Sequence, residues 1–172
     1  VDNRSRQSAH DLIALVTPDV ADTVTSARAS LGADQHGFIR AVVTAQREPV
    51  TATVLRALLH GVDRFGEPKK NKAGYRAAVE AIRIMHADYT ADEPIRPDGR
   101  AVRNAIATLS ETAPVLLLID EFGKNLEAFA DSHSDADLYL LQELAEATRG
   151  EQQLPLVLVT LQHLAFDEYA AG

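Results

Sequence analysis

The spacing of hydrophobic positions divides the chain into three parts, which are residues 1–36, 37–113 and 114–163. The first part is predicted to be helical, because its apolar residues recur at intervals of three and four. The second begins with a β-rich strand and continues with helices, and the third contains two apolar strands joined by a helix. This alternation of strands and helices predicts an α/β domain.

The predicted helices are bounded by prolines, glycines and capping residues. Pro18 separates the first two helices, and Thr51 is the expected N-cap of the helix after the first strand. The predicted boundaries are 8–17, 20–31, 75–89 and 98–112 for helices and 38–44 for the first strand. The apolar stripes that we expect to form the core are Val54, Leu55, Leu58, Leu59 and Val62, then Ala78, Val79, Ile82 and Met85, then Val102, Ile106 and Leu109, and finally Leu138, Leu141 and Leu144.

Two apolar runs in the last part, 114–119 and 154–159, predict buried strands. Neither run alternates with polar residues, which is typical of strands buried on both faces in the centre of a parallel sheet. A predicted helix that begins at Ser134 connects them, and a strand, a helix and a strand in this order pair in parallel.

Composition narrows the classes of protein that this chain can belong to. It has 172 residues, 46% of them hydrophobic, which is enough for one domain with a sizeable core. It has no cysteine, which excludes disulfide scaffolds, thiolate metal sites and cysteine nucleophiles. Its net charge of −8 gives no basic footprint for duplex nucleic acid. No apolar run approaches a membrane span, so we expect a cytoplasmic protein.

Polar side chains follow both apolar runs of the last part. Asp120 and Glu121 end the first, and Thr160 and Gln162 lie at the end of the second. Ligands of parallel sheets collect at the carboxyl ends of the strands, so we expect these residues to share a site. In that site Asp120 would hold Mg²⁺ through water, and Glu121 would orient or deprotonate an attacking water. Gln162 or Thr160 would contact a γ-phosphate or that water.

The residues around this acidic pair resemble a known family. Residues 115–121, Val-Leu-Leu-Leu-Ile-Asp-Glu, are similar to the Walker B strand of P-loop NTPases of the additional-strand, catalytic-glutamate class, which includes the AAA and STAND ATPases. Residues 119–127, Ile-Asp-Glu-Phe-Gly-Lys-Asn-Leu-Glu, resemble a segment of large prokaryotic ATPases in phage-exclusion (BREX-type) and related DNA-defence systems. The resemblance covers residues 114–163.

The resemblance implies a three-layer P-loop NTPase-like fold with a parallel sheet, which binds and hydrolyses ATP with Mg²⁺. It implies that Asp120 is the Mg²⁺-coordinating position and Glu121 the catalytic base. Gln162 would be the sensor 1 residue, with Thr160 as its alternate. The parent would be an oligomer or part of a multi-protein complex, and it would act on nucleic acid through other domains.

The resemblance also assigns neighbours to the acidic pair. The strand at 38–44 would lie beside the Walker B strand in the sheet, and Thr44 or Gln46 at its end would restrain Glu121.

A P-loop is missing from this sequence. The P-loop motif ends in Gly-Lys-Ser/Thr, whereas the Gly123-Lys124 pair is followed by Asn125 and lacks the required upstream glycine. The chain also begins with Val1 and stops soon after a strand-like run. We therefore expect residues 1–172 to be one partial ATPase domain, whose first strand and P-loop lie upstream and which is inactive alone.

Two other classes remain open at this stage. The chain could be a non-catalytic α/β interaction or regulatory module, in which Asp120 and Glu121 are ordinary strand-end polar groups. It could also be a Mg²⁺-dependent phosphohydrolase or nuclease, in which Asp131, Asp135 and Asp137 supply further carboxylates. The six histidines show no paired metal-ligand spacing, so an imidazole metal site is not expected.

Overall fold

A computed structural model of the protein describes residues 3–33, 37–68, 71–132, 136–147 and 155–163. The chain forms two compact units, residues 1–37 and residues 38–172. The first contains helices α1 (Asn3–Val16) and α2 (Pro18–Ser30). The second contains, in chain order, β1 (Ile39–Thr44), α3 (Val50–Phe65), α4 (Lys72–Tyr89), α5 (Gly99–Ser110), β2 (Val115–Asp120), α6 (Gly123–Ser132), α7 (Ala136–Ala147) and β3 (Leu156–Thr160).

The first unit is a helical hairpin with little core of its own. Pro18 is the first residue of α2, where its fixed φ angle and missing N–H suit a helix start. The apolar side chains of α1 are not buried. Leu12, for example, is 65% exposed and Val16 is 81% exposed. Ala21 on α2 is buried instead.

The second unit contains a parallel sheet with the strand order β1-β2-β3. The register pairs Thr44 of β1 with Asp120 of β2, and Ile119 of β2 with Thr160 of β3. The predicted α/β class, the parallel pairing and the position of β1 beside β2 are therefore confirmed. The finer identity as a P-loop NTPase fold stays a prediction.

Helices cover one face of the sheet. Helix α3 packs on β1 and β2, and α5 reaches β2. On this face Val115, Leu117 and Ile119 are buried, whereas Leu116 and Leu118 on the other face are only half-buried. The predicted burial of these strands on both faces is therefore wrong for the described residues, because no described helix closes the second face to the same degree.

The core is formed by the helical stripes that the sequence predicts. The stripes of α3 and α5 are buried, apart from a partly buried Leu59, and in α4 Ala78 and Ile82 are buried. In α7, Leu144 is buried and Leu141 partly so, but Leu140 is also fully buried and was not predicted. Leu138 lies outside the residues whose burial is described, and so does the expected cap at Ser134.

One predicted feature of the helices is wrong, and one helix was not predicted. The N-cap position of α3 is Pro49, not Thr51, because the Pro49 carbonyl already accepts hydrogen bonds from Ala52 and Thr53, at 3.0 and 3.1 Å. Helix α6 was not predicted at all. By contrast, α5 begins as expected, since the Asp98 carboxylate accepts from the backbone N–H groups of its first turn.

Gly61 permits the close approach of α3 to β1. A Cβ at this position would lie 3.1 Å from the backbone nitrogen of Ala41 and 3.1 Å from the backbone carbon of Arg40. These are main-chain atoms of a paired strand, so they cannot yield as a flexible side chain would. The absence of a side chain at residue 61 thus sets how closely the helix packs on the sheet.

We expect Gly61→Ala to lower the free energy of unfolding by about 1–3 kcal/mol, although alanine favours helix more than glycine does. The matched control is Gly99→Ala in α5, where the new Cβ would lie at an ordinary 3.8 Å from the Leu140 Cβ. This control should keep or raise stability. Urea unfolding followed by circular dichroism measures both, and equal stability of Gly61→Ala and wild type would contradict this packing argument.

Candidate functional site

The turn that follows β2, residues 120–122, lies between the ends of the two other strands, and we refer to it as the acidic turn. On one side the Ala45 N–H donates to the Asp120 carbonyl, at 2.8 Å. On the other side the Phe122 N–H donates to the Leu161 carbonyl, at 2.8 Å. The Leu161 N–H donates in turn to the Ile119 carbonyl, at 2.9 Å. Main-chain hydrogen bonds therefore hold the acidic turn beside both neighbouring strand ends.

Asp120 is half-buried, and one oxygen of its carboxylate accepts a hydrogen bond within the acidic turn. Its Oδ1 accepts a hydrogen bond from the Glu121 N–H, at 2.9 Å. The described residues provide no other hydrogen bond to this carboxylate. The other oxygen of this carboxylate lies at the carboxyl end of the central strand.

Glu121 has an unusual backbone conformation. Its φ of 54° lies in the left-handed region, which costs a residue with a Cβ about 1–2 kcal/mol relative to the right-handed region. Backbone strain of this kind is concentrated at functional sites in proteins. The reversal of the chain at Glu121 lets Phe122 become buried while the Glu121 side chain stays partly exposed.

Lys124 is the ionic partner of Glu121. Its Nζ forms an ion pair with Glu121 Oε2 across one turn of chain, and both side chains are partly exposed, at 47% and 34%. The hydrogen bond and the charge of Lys124 lower the pKa of Glu121, with a smaller contribution from His163. The lowered pKa favours the carboxylate form of Glu121 and makes it a weaker proton acceptor than an ordinary glutamate.

Among the described residues, no hydrogen bond or ion pair joins Glu121 to Thr44 or Gln46. The Thr44 carbonyl instead accepts hydrogen bonds from both terminal nitrogens of Arg56, at 3.2 Å each. The restraint that the resemblance suggested for Glu121 is thus supplied by Lys124 in this structure. The sequence contains a signal for this ion pair, which is a lysine three positions after a glutamate.

The end of β3 brings two further predicted residues to this edge. Thr160 is half-buried and pairs with Ile119 in the ladder. Gln162 follows it, and its Oε1 is buried with no hydrogen-bond partner among the described residues. A buried acceptor without a donor costs about 1–3 kcal/mol, so this atom is suited to accept a hydrogen bond from a ligand or water.

A buried polar network lies behind the acidic turn, and the sequence did not predict it. Its members are Glu48, Thr53, Arg56 and Asn125, from the loop after β1, helix α3 and helix α6. The signal for this network in the sequence was a polar residue beside the apolar stripe of α3. Thr53 is fully buried there, and a buried hydroxyl needs hydrogen-bond partners.

The donor set at this edge suits Mg²⁺ better than a transition metal. The described residues contain no group of three or more histidine, aspartate and glutamate side chains that could hold a metal ion. Mg²⁺ is commonly bound by one or two carboxylates together with water and substrate phosphates, and Asp120 offers that chemistry. The extra carboxylates of the nuclease alternative lie outside the part of the chain whose side chains are described, namely Asp131, Asp135 and Asp137.

Comparison of the chain with protein-family models, with curated proteins and with solved structures gives no match. Among the helices that the structure describes, none has the length and hydropathy to cross a membrane.

We expect Lys124→Met to raise the pKa of the Glu121 carboxyl towards its ordinary value of 4.5, because the ammonium partner is lost. A group whose pKa is lowered by folding stabilises the fold above its unfolded pKa, and this contribution is lost as the pH falls through the lowered value. The loss of stability in Lys124→Met should therefore be present at neutral pH and fade in acid.

NMR titration of the glutamate carboxyl carbons measures this change directly. The control lies within the same protein: Arg76 lowers the pKa of Glu67, and that pKa should not respond to the loss of Lys124. An unchanged Glu121 pKa in Lys124→Met would show that the ion pair does not form in solution.

Proposed function

We propose that this chain is the Walker B to sensor 1 part of an ATP-binding and ATP-hydrolysing domain in a larger protein. The observation that carries the proposal is the position of the acidic turn. Asp120 and Glu121 leave the central strand of a parallel sheet between the ends of β1 and β3, and main-chain hydrogen bonds hold them there. Carboxylates at this edge suit a phosphate ligand with its metal ion.

In this proposal each polar group at the edge has its own task. Asp120 would hold Mg²⁺ through water with the carboxylate oxygen that the Glu121 N–H does not occupy. The ion would supply charge neutralisation for the phosphate oxygens. Glu121, whose carboxylate is paired with Lys124, orients the attacking water and accepts its proton. Gln162 contacts that water or the terminal phosphate, and Thr160 is its alternate.

The open edge of the sheet at β3 supports the proposal, because a further strand can pair there in the parent protein. β3 is an edge strand among the described strands, and its sequence Leu-Val-Leu-Val-Thr has neither the charges nor the proline that protect natural edges. The proposal places the strand that leads into the P-loop beside β3. This strand and the P-loop would come from another part of the parent protein, because the present sequence contains no P-loop motif.

The biological setting of the proposal rests on the resemblance of residues 119–127 alone. It is a bacterial phage-exclusion or DNA-defence system in the cytoplasm. There the ATPase works as an oligomer or within a multi-protein complex, and other domains of the parent contact nucleic acid. Oligomers suit phosphoryl-transfer enzymes of this kind, because an arginine from one subunit can complete the site of another.

The test is Glu121→Gln in the full-length parent. Loss of the base should lower ATP turnover by about 10²–10⁴-fold while nucleotide binding is retained, since glutamine cannot accept the proton. The matched control is Glu80→Gln on the exposed side of α4, which should leave turnover unchanged. Unchanged turnover in Glu121→Gln would remove Glu121 from the mechanism, and a parent without ATP turnover would favour the interaction module.

A further inference from the structure

Asn125 is a deeply buried member of the polar network behind the acidic turn. The residue is 1% exposed, and within the network Thr53 is less exposed, at 0%. The Nδ2 group donates to the Glu48 carbonyl and to Thr53 Oγ1, at 2.8 Å each. The Oδ1 atom of Asn125 is buried with no hydrogen-bond partner among the described residues, so the two hydrogen bonds of Nδ2 are the side-chain contacts that constrain where Asn125 lies.

The other members of the network connect Asn125 to the end of β1. Thr53 Oγ1 donates to Glu48 Oε1 at 2.8 Å, and Arg56 forms an ion pair with the same carboxylate. Arg56 also donates to the Thr44 carbonyl. Glu48 and Arg56 are largely buried, with side chains 13% and 20% exposed. Charges that are shielded from water in this way hold their partners in defined positions.

Asn125 is also joined to the acidic turn through the first turn of α6. Its own N–H donates to the Phe122 carbonyl, and the Lys124 N–H donates to the Glu121 carbonyl, at 3.0 Å each. Lys124, which holds the Glu121 carboxylate, is the residue immediately before Asn125. A displacement of Asn125 would therefore move both Glu121 and its ionic partner.

We propose that Asn125 is a positioning residue, and that the buried polar network fixes the acidic turn against β1 so that Glu121 has one orientation. This inference rests on the proposed function and deepens it, because it assigns a role to residues that do not contact the substrate. Catalytic groups need placement to within a fraction of an ångström, and a 1 Å error can cost about a hundredfold in rate.

The test removes the central hydroxyl while keeping the volume of its side chain. Thr53→Val should leave the fold intact but break the hydrogen bonds from Asn125 and to Glu48. In the full-length parent we expect kcat for ATP to fall by about tenfold or more, with KM changed less than about twofold, because orientation rather than binding is lost. Thr53→Ser, which restores the hydroxyl, should recover most of the rate.

A second measurement does not depend on ATP turnover. Amide hydrogen exchange should become faster by about tenfold across residues 121–126 in Thr53→Val. The matched control is Thr108→Val, because the Thr108 hydroxyl bonds within its own helix, to the Asn104 carbonyl at 3.0 Å. That control should change neither exchange at 121–126 nor kcat.

The two measurements separate failure of this inference from failure of the proposed function. Wild-type exchange rates at 121–126 in Thr53→Val would overturn the positioning role, whether or not the parent hydrolyses ATP. An unchanged kcat, or a change in KM alone, would also overturn it in a parent whose turnover depends on Glu121. Faster exchange in a parent without turnover would support the structural link and overturn the proposed function.

Discussion

The position of the acidic turn depends on the hydrogen bonds that continue the parallel ladder past the last residue of β2. Ala45 binds the Asp120 carbonyl on one side, and Phe122 binds Leu161 on the other. Because both neighbours are engaged through their main chains, the turn cannot move away from either strand without breaking the sheet. Three separate segments of sequence therefore end side by side at one edge of the sheet, which is the condition for chemistry that needs several polar groups.

Much of the fold could be predicted from local patterns. Each apolar stripe of α3 and α5 lies on one side of a helix that packs on a sheet, so the spacing alone was informative. Helix α6 was missed because its first residue, Gly123, is a poor helix former and suggested a bend. The strands were expected to be buried on both faces because continuous hydrophobicity cannot report how much of a second face is covered.

The site was predictable only in part, for a different physical reason. Asp120 and Glu121 were evident because they interrupt an apolar strand, and the polar end of β3 was evident in the same way. The hydrogen bond between Asn125 and Glu48 joins residues 77 positions apart. The periodicity of hydrophobic residues along the sequence does not indicate such a contact, because the contact depends on how α6 returns across the end of β1. Buried polar groups of this kind become visible only when the tertiary structure is known.

The left-handed backbone at Glu121 bears on how this chain could evolve. Glycine adopts that conformation without steric penalty and asparagine with little, so selection for a more robust fold alone would favour one of them at position 121. A glutamate there carries a conformational cost that a glycine would not. Under the proposed function, selection for heat resistance alone would replace this carboxylate early, because the substitution relieves the backbone cost while activity is lost.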